Sequence, residues 1–113
     1  MIAVVWQFQV KPGKQQEFER FYGADGEWSQ VARRSRSFLG SSFLRDQASD
    51  TSYLLVEYWS EMVVYERHRK NTDIHHLEER RDDLCEAILP MGVFSALDVP
   101  ERKGPTWSRR DGV

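Results

Sequence analysis

Three side chains able to do chemistry stand close together in this chain: Trp59, Tyr65 and His68. An indole offers a flat stacking surface, a phenol donates a proton or anchors an oxygen, and a neutral imidazole accepts a proton. Gathered on one cavity, they would hold a flat ligand and move one of its protons. The same residue types also serve as core rings and as a surface or capping imidazole, so the elements that carry them decide between the two readings.

Those elements are written in YLLVEYWSEMVVYERHR, residues 53–69. Tyr53 to Trp59 is aromatic and β-branched, as strands are. Apart from Glu57 it is apolar at odd and even positions alike, which predicts a strand covered on both faces. Ser60 is the expected N-cap of a following helix, and Glu61 places negative charge at its start. The helix runs to about Lys70, with Met62, Tyr65 and Arg69 on one side and Val63, Val64 and Arg67 on a neighbouring one. Trp59 thus stands where a central strand hands over to a helix.

The other elements follow from period and punctuation. Ile2 to Val10 is a strand with Ile2, Val4, Trp6, Phe8 and Val10 on one face. Lys11-Pro12-Gly13-Lys14 ends it. A helix then presents Phe18, Phe21 and Tyr22, Gly23 and Gly26 break it, and a second short helix carries Trp28, Val31 and Ala32. Phe38 to Gln47 is a weaker strand, joined as a hairpin to Tyr53–Trp59. Asn71-Thr72-Asp73 caps a further helix whose predicted apolar stripe is Ile74, Leu77, Leu84, Cys85 and Ile88. Pro90 reads as its stop, and Leu89 to Leu97 as the last strand. Residues 1–98 form the expected domain, and 99–113, with Pro, Gly and Trp107, an extended tail.

Composition narrows the function classes. The 113 residues carry 40% hydrophobic and 30% charged side chains, which suits one globular domain. A net charge of −2 argues against an electrostatic nucleic-acid binder. The single cysteine, Cys85, excludes an internal disulfide and a cysteine-cluster metal site. His75 and His76 are adjacent on a helix and diverge by about 100°, which does not suit one ion, so no metal is expected. No apolar run spans a membrane, and MIAVVWQFQV lacks the pattern of a secretion signal. A cytoplasmic location is the expectation.

Strand, helix, strand, strand, helix, strand is the split βαβ, ferredoxin-like order. It predicts an α+β fold with a four-stranded antiparallel sheet, the first and third strands central and the helices on one face. Ala3, Val5, the second face of the third strand, Phe94 and Ala96 would then leave apolar groups on the side no helix covers. Such a patch marks an interface, and a second copy can bury it with two-fold symmetry. The expected partner is a homodimeric second copy with the sheets face to face.

WQFQVKPGKQQEFERFYGADGEW, the hairpin FLGSSFLRDQASDTSYLLVEYWS, and Trp59-Ser60-Glu61 followed by His68 resemble the antibiotic biosynthesis monooxygenase (ABM) family over about residues 1–98. The resemblance implies a dimeric α+β barrel with a pocket between helices and sheet in each subunit. Some members of that family oxidise polyketide phenols to quinones with O2, without metal or flavin; others degrade haem. Trp59 matches the family's strand-end tryptophan and Tyr65 a helix tyrosine of quinone-forming members. His68 sits one residue short of the haem-ligating histidine of haem-degrading members. Both active groups use a pocket asparagine. Here the one asparagine is Asn71, in an interhelical loop, while Trp6 and Leu55 stand where haem-degrading and quinone-forming members carry theirs.

The expectation from residues and resemblance together is a cofactor-independent monooxygenase-like protein for a small aromatic substrate. Tyr65, His68 and Trp59 are the candidate catalytic residues; Trp6, Phe8, Trp28 and Leu55 are the candidate substrate-binding residues. No cofactor is expected, and Trp6 would obstruct a haem. The other reading is a non-catalytic dimeric binding or accessory module of the same fold.

Overall fold

The computed structural model describes residues 1–98. The expected tail with Trp107 lies outside them. The elements are β1 (Ile2–Val10), α1 (Gln15–Tyr22), α2 (Glu27–Ala32), β2 (Phe38–Arg45), β3 (Ser52–Trp59), α3 (Met62–Arg69), α4 (Thr72–Asp82) and β4 (Cys85–Ser95). The four strands form one antiparallel sheet in the order β2-β3-β1-β4, so β1 and β3 are central as the order of elements implies. The fold is ferredoxin-like α+β.

Side-chain alternation decides which residues meet the helices. Val4, Trp6, Phe8 and Val10 of β1 are buried together with Tyr53, Leu55, Glu57 and Trp59 of β3. Antiparallel pairing sets Trp6 opposite Leu55, Phe8 opposite Tyr53 and Val4 opposite Glu57 on this one face. The helices cover it with Phe18, Phe21 and Tyr22 from α1, Trp28, Val31 and Ala32 from α2, Tyr65 from α3, and Ile74 and Leu77 from α4. On the other face Leu54, Val56 and Tyr58 are half-buried, while Leu44, Leu89 and Phe94 stand exposed.

The break between α1 and α2 is built on Gly26. A Cβ there would collide with the carbonyl oxygens of Arg20 and Phe21, and its N–H reaches Gly23 O at 2.9 Å. Only glycine lets the chain turn this tightly against the end of α1.

Three local expectations are corrected. Ser60 does not cap α3: the N-cap is Glu61, and its N–H is met by Ser37 Oγ at 3.3 Å, an oxygen brought from the start of β2. Ser60 Oγ instead hydrogen-bonds Ser37 Oγ at 2.8 Å. Helix α4 ends at Asp82, so Leu84, Cys85 and Ile88 do not continue its stripe; Cys85 opens β4. Pro90 does not stop a helix but lies within β4, an edge strand, where a missing N–H is tolerated. The pairing of β4 with β1 shifts register between Val5 and Trp6 beside it, and Gly92 takes φ 138° there.

Candidate functional site

All seven residues singled out from the sequence lie in the layer between sheet and helices. Trp59 ends β3 and is wholly buried. Its indole meets the His68 ring at 4.6 Å and the Tyr65 ring at 5.5 Å between centroids, so α3 does bring phenol and imidazole onto one ring. Phe38 packs on it as well, at 5.3 Å. Trp6, Phe8 and Leu55 face the helices from the sheet, and Trp28 reaches in from α2.

His68 has a second environment. A cleft of about 250 Å³ between α2 and α3 is lined by Val31, Arg34, Ser35, Val64, Arg67, His68 and Asn71. Neither Trp59 nor Tyr65 lines it. The imidazole therefore bridges a solvent-facing cleft and the Trp59 ring. Burial, with the nearby Arg69 charge, pulls its pKa down to about 4. Burial also pushes the Tyr65 phenol up to about 12. At neutral pH His68 is thus a neutral acceptor and Tyr65 a protonated donor.

The layer also holds polar groups that reading the sequence missed. Glu57, on β3 between Leu55 and Trp59, is almost completely buried. Trp28 Nε1 donates to Glu57 Oε2 at 2.5 Å and Trp59 Nε1 donates to Glu57 Oε1 at 3.4 Å. One carboxyl thus ties together two indoles from different elements. Burial raises its pKa, against the lowering pull of the two indole N–H groups and of Arg69. The clue was in the alternation: Glu57 shares the odd-numbered face of Tyr53, Leu55 and Trp59.

Arg81 is the second missed group. It falls on the stripe of Ile74 and Leu77 on α4, and its guanidinium is buried among rings. Its central carbon lies 5.3 Å from the Trp6 ring centre and 5.9 Å from those of Phe8 and Trp28. Arg69, bound to Glu78 at 2.5 Å, lies 5.1 Å from the same Trp6 ring. A desolvated cation–π contact is worth about 2 kcal/mol, the case of buried Arg81, and a more exposed one such as that of Arg69 is worth less. Arg81 Nη2 donates to Asp82 at 3.2 Å, whereas Nη1 has no hydrogen-bond partner and stands 3.9 Å from Glu78.

Trp6 Nε1 is likewise buried without a hydrogen-bond partner among the described residues, whereas the buried Tyr22 hydroxyl faces the Arg81 guanidinium. Tyr22 is held far above the ordinary phenol range by burial, although the neighbouring Arg81 guanidinium pulls the other way. Leaving a buried polar atom unsatisfied costs about 1–3 kcal/mol. Among the described residues, no group of three or more His, Cys, Asp or Glu side chains could hold a metal ion. No described helix is long and apolar enough to cross a membrane.

Comparison with known proteins bears on the family and the fold. The antibiotic biosynthesis monooxygenase family matches residues 1–80. None of the curated proteins matches. Among solved structures, SnoaB of Streptomyces nogalater, a cofactor-independent oxygenase, superposes with a TM-score of 0.73 at 22% identity, over 88% of this chain and 97% of its own. A Deinococcus radiodurans protein named for the same family superposes with a TM-score of 0.75 at 11% identity, over 92% and 100%. Rv0793 of Mycobacterium tuberculosis gives 0.68 at 14% identity, over 88% and 98%. At these identities the likeness is one of fold.

Proposed function

The chain belongs to the antibiotic biosynthesis monooxygenase family, and from that premise we propose that it is a cofactor-independent monooxygenase-like protein acting on a small aromatic, polyketide-like phenol. The observation that carries this reading is the meeting of the Tyr65 and His68 rings on the Trp59 indole, 5.5 Å and 4.6 Å away. His68, neutral at pH 7, takes the phenol proton; the resulting phenolate is the electron source. It reduces O2, one oxygen atom becomes the new ring carbonyl, and the other leaves as water. The hydroxyl proton and one ring hydrogen of the phenol end in that water, so phenol and O2 give quinone and H2O without another reductant. Tyr65, still protonated, donates to the developing oxyanion. Trp59, Trp6, Phe8, Trp28 and Leu55 supply the dry walls.

The protein works, in this proposal, as a cytoplasmic homodimer whose second copy covers the exposed sheet face around Leu44, Leu89 and Phe94. Apolar side chains from all four strands, Leu44, Leu54, Val56, Ala3, Val5, Leu89 and Phe94 among them, share that face with Gln7, Gln9 and Ser42, and such an apolar patch suits a two-fold interface.

A second reading, a non-catalytic binding or accessory module, is favoured by one observation: Trp59 is 0% exposed and packed on three rings, as a core residue is. Two substitutions separate the readings. In the catalytic reading, Tyr65→Phe lowers turnover of an aromatic substrate far more than its binding. In the accessory reading, Tyr65→Phe and His68→Ala leave ligand-induced quenching of tryptophan fluorescence and oxygen uptake unchanged.

A further inference from the structure

The cleft beside His68 is not used by the proposed chemistry. It offers about 250 Å³ between α2 and α3. At about 30 Å³ per water this is the room of roughly eight waters, enough for one small ring and its substituent. Val31 and Val64 give it an apolar wall from each helix, and Arg34, Ser35, Arg67 and Asn71 give it polar ones. Among the described residues no carboxylate lines it.

Positive charge gathers at this place in a chain whose net charge is −2. Arg33, Arg34 and Arg36 follow α2, and Arg67, Arg69 and Lys70 stand at the end of α3. Asp73 takes Arg34 at 2.7 Å, and Glu78 takes Arg69. Arg33, Arg36, Arg67 and Lys70 have no ion-pair partner among the described residues. The C-termini of α2 and α3 carry about half a negative charge each, which a single cation would match. The other cations repel one another, and a bound anion relieves that repulsion. Of those without a partner, Arg67 is the one that lines the cleft.

The side chains beside Arg67 can add hydrogen bonds to an anion. Asn71 Oδ1 accepts from the Asp73 N–H at 2.7 Å, which leaves the amide N–H2 for a ligand. Ser35 Oγ accepts from the Ser37 N–H at 3.2 Å and keeps its own proton to give. The planar fork of a guanidinium matches a carboxylate or a phosphate. The valines decide between the two. A free phosphate would leave Val31 and Val64 against a hydrated ion, whereas a carboxylate on an apolar body covers both.

We infer that the cleft between α2 and α3 is a second binding site, for a small carboxylate whose apolar body is about one ring in size. Arg67 pairs with the carboxylate, and Val31 and Val64 hold the body. Neither Trp59 nor Tyr65 lines the cleft, so the site stands apart from the proposed oxygen chemistry.

The test is calorimetric titration of the full chain with benzoate and with benzamide, an uncharged molecule of nearly the same shape. Benzoate is expected to bind about tenfold tighter or more, as a charge-assisted hydrogen bond gives. Arg67→Gln alters an exposed side chain, so the fold is kept, and it is expected to bring the ratio close to one. Arg20→Gln removes the same charge from an exposed position on α1 that does not line the cleft, and is expected to leave the ratio unchanged. Acetate, a carboxylate without the ring, is expected to bind several-fold more weakly than benzoate. Equal binding of benzoate and benzamide overturns the site, and so does an unchanged ratio in Arg67→Gln. An equal loss in Arg20→Gln overturns it by making the preference one of overall charge. Inorganic phosphate binding more tightly than benzoate overturns it in favour of a plain anion site. Binding of none of these probes overturns the inference alone, since oxygen uptake tests the reading of Trp59, Tyr65 and His68 separately.

Discussion

Trp28 Nε1 donates a 2.5 Å hydrogen bond to Glu57 Oε2, joining a short helix to the central strand inside the core. The acceptor is a carboxyl from which solvent is excluded, so the bond's contribution depends on whether that carboxyl is charged. Glu57 has a raised pKa, and the indole donors hold it lower than burial alone would. A raised carboxyl favours the protonated fold: the stability it contributes is complete below the ordinary value of 4.5 and is lost as pH rises through the folded value.

Trp28→Phe is therefore expected to destabilise the fold at pH 7 by about 1–3 kcal/mol beyond the small loss of ring area, because an acceptor in the core loses its donor. Below pH 4, where Glu57 is protonated in both folded and unfolded chains, the loss should shrink. Urea unfolding of the two proteins at both pH values checks this. An identical loss at both would mean that the bond carries no charge-assisted component.

His68 gives the opposite sign. Its pKa falls from 6.5 to about 4 on folding, so the unfolded chain takes up a proton at higher pH than the folded one. The contribution of this group is complete above pH 6.5 and is lost as pH drops toward 4. His68→Gln should flatten that part of the thermal stability profile and leave the region above pH 7 with the same slope. A profile of unchanged shape would contradict the burial of the imidazole against Trp59.

The uncovered sheet face predicts association. A charge at Val56, paired with Val5 across the two central strands on that face, should abolish dimers and lower stability together. Sedimentation at micromolar concentration reads it directly. An obligate interface should bury more than roughly 1,600 Å² in total. A stable monomer of the unsubstituted protein would remove the face-to-face arrangement.

Trp59→Ala should cost about 3–5 kcal/mol, the range for an aromatic core truncation, whatever the chemistry. Tyr65→Phe, which removes one oxygen and little surface, should leave the midpoint of unfolding nearly unchanged. A large loss of stability in Tyr65→Phe would show that its hydroxyl is structural.

Much of this arrangement was legible from residue order. The change from period two to helical period after Trp59 placed the β3–α3 junction, and the apolar content of β1 and β3 placed them at the centre of the sheet. The loss of α4's stripe after Leu77 was not legible, because Leu84, Cys85 and Ile88 continue an apolar spacing that a helix would also show. Only pairing with β1 makes Cys85 and Ile88 strand residues. Ser60 looked like a cap because its type suits one, yet the oxygen that meets the Glu61 N–H comes from Ser37, distant in sequence. Glu57 stood only as the exception in an apolar strand and Arg81 was not singled out, because the partners that make their burial tolerable are indoles and rings from other elements.

The central claim concerns Trp59, Tyr65 and His68 acting on a phenol and O2. Its most direct test is simultaneous oxygen uptake and quinone absorbance with 1-naphthol, a phenol with a free para carbon, and metal-free protein. The account predicts one O2 consumed per quinone formed, at a rate lowered by Tyr65→Phe and His68→Ala while binding persists. Oxygen uptake no faster than in buffer, from a folded protein saturated with a phenol it binds, would contradict it.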